Sequence, residues 1–240
     1  MMTCVDLFIP CYVDQFYPET ALNMVKLLKR AGVTVDYNTN QTCCGSFAYH
    51  AGYLDEAKAL GDKFLDDFSN DRPVVAPTAS CVAYVKNHFE ELFFNTSNHL
   101  NFKRLIGNIY ELSDFLINKL NFDDFGAKFP HKVTYHDSCS AIRGLGLGPE
   151  ARQLLSKVEG LELVEMQQRD QCCGADLAFS VNHPALSASL VSRKMRNAME
   201  TGAEYIVTND MSCLMHQNLS LQGEHSLKVI HLADVLASGW

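Results

Sequence analysis

One cysteine pattern occurs twice in this 240-residue chain and limits the folds open to it more than any other feature. A single cysteine, Cys11 or Cys139, precedes an adjacent pair with glycine, Cys43-Cys44-Gly45 or Cys172-Cys173-Gly174. Another single cysteine follows, Cys81 or Cys213. The spacing from single to pair is 32 and 33 residues, and from pair to last cysteine 37 and 40. The tails also agree, YELSDFL from Tyr110 with IHLADVL from Ile230. Eight of the nine cysteines belong to this repeat; Cys4 stands outside it and reads as a small buried hydrophobe.

Each copy has the same rhythm of strand and helix signals. In the first, VDLFIP forms a β-rich run ending at Cys11, and a helical period covers Pro18 to Arg30 with a stop at Gly32. Strands follow at Val33 to Tyr37 and Arg72 to Ala76, on either side of a helix from Leu54 to Phe68. In the second, strands are expected at Lys132 to His136, Leu161 to Glu165 and Tyr205 to Thr208. Helices are expected at Glu150 to Lys157 and Ala185 to Glu200. Strands alternating with helices imply right-handed βαβ units and a parallel sheet. The expected architecture is therefore α/β: two similar Rossmann-like parallel-sheet lobes formed by an internal repeat and related by a pseudo-twofold axis. Polar residues with Gly126 and Pro130 make Asn121 to Pro130 the joint, giving lobes at 1–127 and 128–240. In such sheets ligands gather beyond the carboxyl ends of the strands, where every repeated cysteine falls.

A net charge of −8 argues against a nucleic-acid backbone or an anionic membrane as the main partner. The N-terminal apolar run is short, lacks a basic leader and is broken by Asp6, so it does not read as a signal peptide. No apolar stretch approaches the roughly 18 residues of a membrane span. A cytoplasmic location follows as the expectation, and there nine cysteines ask for a metal or redox role and not for a disulfide framework.

Adjacent thiols on a strand point to opposite faces, so they converge only where the chain turns, as Gly45 and Gly174 allow. Four thiolates per half suit a structural zinc or an iron–sulfur cluster. Zinc sites usually show C-x₂₋₄-C knuckles, which neither half has, whereas a cluster offers several metal corners to neighbouring thiolates. Other features carry less. GLGLG at Gly144 to Gly148 lacks the dinucleotide spacing and the P-loop lysine, and reads as a flexible turn. His136 and Asp137 either tune a cluster or cap a strand end. His50 and His231 lie near strand ends without paired spacing.

Two copies of C…CCG…C, with CCGSFAYHAGY, HDSCSAIRGLG, FSVNHPALSASLVSRKM and SCLMH, resemble the cysteine-rich CCG-domain family. That family includes the CCG-bearing component of heterodisulfide reductase and the glycolate oxidase iron–sulfur subunit, and the likeness is greatest to its lactate-utilisation protein A branch. The resemblance implies an iron–sulfur electron-transfer subunit, with 4Fe-4S-type clusters, of a complex oxidising L-lactate to pyruvate. It implies a ferredoxin-like iron–sulfur subunit and a third lactate-utilisation subunit as partners. Carried over by position, Cys11, Cys43, Cys44 and Cys81 would ligate one centre, and Cys139, Cys172, Cys173 and Cys213 the other. Alternatives are a heterodisulfide-reductase-like thiol/disulfide subunit and a zinc- or thiol-based scaffold without electron transfer. Two departures stand out. Thr78 and Asp210 replace the first cysteine of the CxxC found in heterodisulfide reductase, and Ala175-Asp176-Leu177 replaces further glycines after the second pair.

Overall fold

The computed structural model describes residues 4–221 and 227–240. Two four-stranded, all-parallel sheets form, with orders β2-β1-β3-β4 and β6-β5-β7-β8. Their strands are β1 (Cys4–Leu7), β2 (Thr34–Asp36), β3 (Val74–Ala76) and β4 (Ile109–Glu111), then β5 (Lys132–Tyr135), β6 (Glu162–Leu163), β7 (Tyr205–Thr208) and β8 (Lys228–His231). The orders are equivalent, as the repeat requires. In both lobes the chain starts in the sheet, steps to one edge, then crosses back and extends to the other.

Alternation along the strands divides the core into layers. Val5, Leu7 and Val75 from the first sheet join Val133, Tyr135 and Val207 from the second in one central core. Val74 and Ala76 face the other way into an aromatic layer with Phe64, Phe89, Phe93 and Phe102. Ile206 likewise enters an outer layer with Met166, Val191 and Met195. The period of two on each strand thus places one face of both sheets on shared ground and gives each lobe its own outer layer.

The helix Pro18–Arg30 shows how closely local chemistry sets an element. Pro18 occupies its first turn, and Met24, Leu27 and Leu28 bury one face. It ends in a Schellman turn: Gly32 N–H donates to the Lys29 carbonyl and Val33 N–H to that of Leu28, with Gly32 at φ +77°. The same helix joins the lobes, since Thr20 Oγ1 and Asn23 Nδ2 each donate to Asp234 at 2.9 Å.

Several elements depart from the sequence reading. Neither fourth strand was expected, although the matched tails mark both: β4 and β8 end in Glu111 and His231, each of which caps the helical turn that follows. The third strand begins at Val74 because Arg72 is held outside it, paired to Asp6 at 2.7 Å and Asp36 at 2.6 Å. The edge strand β6 contracts to Glu162–Leu163, and Glu165 turns to pair with Arg152. The joint is no free linker: Phe125 and Ala127 are buried in the central core, and Lys128 N–H donates to the Ser238 carbonyl. GLGLG is irregular, as expected of a turn, only from Gly146 to Gly148; Gly144 and Leu145 end a helical turn. Ser140–Leu145 is π-helical, and a Cβ at Gly144 would stand 2.9 Å from Ala83 Cβ, so only glycine lets the lobes approach there.

Candidate metal centres

The repeated cysteines all lie where strands hand over to helices. Cys11 opens the helix Cys11–Phe16 just after β1, and Cys139 immediately precedes the π-helical turn after β5. Cys81 and Cys213 sit in the first turns of the helices Ala79–Phe93 and Met211–Ser220. The pairs lie in the loops after β2 and β6. Cys4 sits at the opposite, amino end of β1, where Arg72 Nη1 approaches its sulfur at 3.8 Å.

In the first half Cys11 Sγ lies 3.8 Å from Cys43 Sγ, and Gly45 N–H points at Cys43 Sγ at 3.4 Å. In the second, Cys172 Sγ lies 3.9 Å from Cys139 Sγ, with Gly174 N–H at 3.3 Å from Cys172 Sγ. Cys44 lies close enough to Cys43 and Cys81, and Cys173 to Cys213, for their thiols to shift one another's ionisation. Thiolates bound tetrahedrally to one ion at about 2.3 Å stand about 3.8 Å apart. The Cys11–Cys43 and Cys139–Cys172 sulfur pairs match that spacing, and all nine cysteines are free thiols.

Each glycine after the pair makes the turn possible. Gly45 (φ +89°) and Gly174 (φ +78°) are left-handed, and a Cβ would press on Ala57 and Leu60 or on Ser187 and Leu190 at 3.1–3.3 Å. Closely packed helices stand behind both turns, so neither space nor backbone angle admits a side chain.

Without a metal, so many neighbouring thiols cannot all ionise. The Cys11 thiol, bonded to Cys43, is pushed up, and this bond, with help from Cys44 and Gly45 N–H, pulls Cys43 down. Cys139 and Cys172 repeat that division, with Cys139 raised and Cys172 lowered. Cys44, beside Cys43 and Cys81, is raised; Cys213 is raised by Cys173, which is correspondingly lowered. The thiols of each set thus share their protons, and a metal deprotonates the thiols it binds.

The two sets open on the same side. Ser46, His50, Ser80, Asp176 and Ser212 line both a recess of about 70 Å³ over the first set and a cleft of about 580 Å³ over the second. Asp176 caps the helix Leu177–Asn182 through Phe179 N–H, and Ala175 is buried beside Cys173 and Cys213. The side chain of Leu177 lies outside the described residues.

Thr78 and Asp210, which stand in place of cysteines, have other work. Thr78 Oγ1 accepts from Met211 N–H of the second lobe at 3.0 Å, and Asp210 Oδ2 accepts from Ser80 N–H of the first at 2.7 Å. Asp210 also caps its own helix through Ser212 and Cys213 N–H. The two lobes therefore exchange caps at the base of the helices that carry Cys81 and Cys213. His50 Nδ1 is bonded to the Ser46 carbonyl, and buried His231 spans from Ala233 N–H to the Pro77 carbonyl.

The two residues before Cys139 part company. Asp137 receives both Arg152 terminal nitrogens at 2.7 and 2.8 Å. His136, one step beyond Tyr135, faces away from the central core; its ring lies by Cys173 and Cys213, with one donor atom from each of the three within 4.8 Å of the others. Sequence reading left its role open because strand alternation gives the face but not what stands there.

Two repeats of a C…CCG…C cysteine set at the carboxyl ends of parallel sheets define the class of protein. The chain belongs to the cysteine-rich CCG-domain family, whose pattern it matches over residues 5–86 and again over 133–217. Over nearly its whole length it is similar to curated relatives: 35% identical to Lactate utilization protein A 2 of Bacillus cereus (strain AH820), across 98% of both chains. It is 38% identical to Lactate utilization protein A of Halalkalibacterium halodurans, across 97% of this chain and 96% of that one. A crystal structure of a hypothetical protein from Helicobacter pylori shares the fold, with a TM-score of 0.62 at 12% identity over 98% of this chain. This chain spans about half (48%) of that one.

Proposed function

We propose that this protein is an iron–sulfur electron-transfer subunit of a complex that oxidises L-lactate to pyruvate. The observation that carries the reading is the convergence of two four-cysteine sets on one side of the molecule. Residues 1–127 supply Cys11, Cys43, Cys44 and Cys81 to one centre; residues 128–240 supply Cys139, Cys172, Cys173 and Cys213 to the other. The names of the relatives support lactate as the substrate of the assembly. When bound, 4Fe-4S-type clusters supply one-electron transfer. The chain's own residues hold them: the thiolates bind, Gly45 and Gly174 give the backbone room, and their N–H groups point at Cys43 and Cys172. Oxidation of lactate releases two electrons and two protons. The hydride- or electron-accepting step belongs to a partner, and this protein works beside a ferredoxin-like iron–sulfur subunit and a third lactate-utilisation subunit in the cytoplasm.

A second reading, reduction of a thiol or disulfide substrate, is favoured by the cleft beside Cys139, Cys172, Cys173 and Cys213, which is large enough for a small molecule. The deciding experiment is an anaerobic preparation in which iron, sulfide and zinc are quantified, followed by reconstitution with the partner subunits. Iron and sulfide in cluster proportion, with cluster reduction by lactate, are expected. A colourless zinc protein would overturn the redox reading. Cluster reduction reversed by disulfides in the absence of the partners would favour the second.

A further inference from the structure

The two centres differ at one buried position three residues before the first cysteine. Before Cys11 stands Phe8, packed edge-on against Phe64 and Phe68 at 4.7 and 5.9 Å between ring centroids. Before Cys139 stands His136, fully buried, with no oxygen or nitrogen partner for either ring nitrogen among the described residues and the Cys173 sulfur beside its ring. Buried polar groups without a partner are rare because desolvation is uncompensated. Asp137 is paired with Arg152, and Gln217, the other buried polar side chain beside Cys173, also has no hydrogen-bond partner among the described residues. What remains beside the imidazole are the buried sulfurs of Cys173 and Cys213, with all three donor atoms within 4.8 Å of one another. That grouping suits donors to one centre, given metal bonds of about 2.0 Å to nitrogen and 2.3 Å to sulfur.

We propose that His136 gives an imidazole nitrogen to the metal centre of the second repeat in place of one of its four thiolates, so that three thiolates and an imidazole hold this centre while thiolates alone hold the first. The assignment rests on the reading that each cysteine set binds metal. A neutral imidazole adds no negative charge, and nitrogen ligation raises the potential of thiolate-bound iron. The second centre is therefore the stronger electron acceptor of the two. Phenylalanine at the matching place in the first repeat offers that centre no donor from this position.

The test uses the full chain, metal-loaded anaerobically, with X-ray absorption at the iron and zinc edges and a redox titration. His136→Phe copies the residue that the first repeat already buries; His136→Gln keeps polarity and approximate size if the phenylalanine variant folds poorly. The parent should show imidazole scattering at about 2.0 Å. Both variants should lose it, and the higher of the two redox waves should move down or disappear. A parent spectrum of sulfur ligands alone overturns the proposal, as does an imidazole signal that survives in either variant. Cys173→Ser separates the underlying reading: if it retains all the metal, the second set binds none and both claims fall. If it loses metal while the parent shell is sulfur alone, only the histidine assignment fails.

Discussion

The first cysteine set and the second share a scaffold yet sit in different surroundings. Aromatic residues back the first: buried Phe8 and Tyr84 pack near it, and its recess holds about 70 Å³. The second opens on a cleft of about 580 Å³ and has His136 and Gln217 buried against its sulfurs. What the repeat conserves is the turn, the glycine and the spacing of the sulfurs. What it leaves free is the layer just behind them, and that layer sets polarity, access and charge. Two centres built alike can thus be made chemically unequal without disturbing either fold.

The largest effects should come from the sulfurs. Cys44→Ser should remove the metal of the first repeat and leave that of the second, and Cys173→Ser should do the reverse; Cys4→Ser should spare both. Anaerobic metal analysis of the three variants checks this, and equal losses from both centres in either single variant would break the comparison.

Next come two ion pairs, one in each lobe. Arg152 is 18% exposed and pairs with nearly buried Asp137, so Arg152→Met leaves that carboxylate only Arg169 at 3.9 Å and should cost about 3 kcal/mol. Arg72 in the first lobe is 38% exposed and its buried partner Asp6 keeps the Asn70 amide at 2.6 Å, so Arg72→Met should cost only about 1 kcal/mol. Urea denaturation of the two variants measures the difference.

Glu111 and His231 occupy matching places at the ends of β4 and β8, and their burial acts with opposite sign. Burial pushes the Glu111 carboxyl up to about 7 from 4.5, against the hydrogen bonds from Ser113 and Asp114 that lower it. Its protonated form is favoured in the fold, so its contribution is complete below 4.5 and is lost as pH rises through 7. Glu111→Gln should remove roughly 3 kcal/mol of that pH dependence. Burial pushes His231 down from 6.5. Its contribution is complete above 6.5 and is lost as pH falls through the lowered value. His231→Gln should therefore flatten the profile on the acid side. Denaturation curves between pH 5 and 8 would show the two slopes, and slopes of the same sign would refute the assignment.

The smallest effects concern the exchanged caps. Asp210→Ala frees three backbone N–H groups, those of Ser80, Ser212 and Cys213, and should cost about 2 kcal/mol. Thr78→Val frees one backbone N–H, that of Met211, together with the Ser80 hydroxyl, and should cost about 1 kcal/mol. Thermal unfolding of the variants would rank them.

By itself the sequence determined the local elements and the cysteine framework. The helix Pro18–Arg30 and the strand Tyr205–Thr208 fall where periodicity, proline and glycine put them, because those signals act over a few residues. Matched spacing announced two lobes with their cysteines at strand ends, since a parallel α/β sheet leaves them nowhere else to meet. Tertiary structure decided the rest. Thr78 and Asp210 exchange caps with groups 133 and 130 residues away, a pairing that no local pattern encodes. Strand alternation could turn His136 away from the central core, but only the docking of the CCG turn and of the helix Met211–Ser220 put Cys173 and Cys213 beside it. Local propensity is written in neighbours along the chain; a site is made by residues that meet only when the sheets and helices pack.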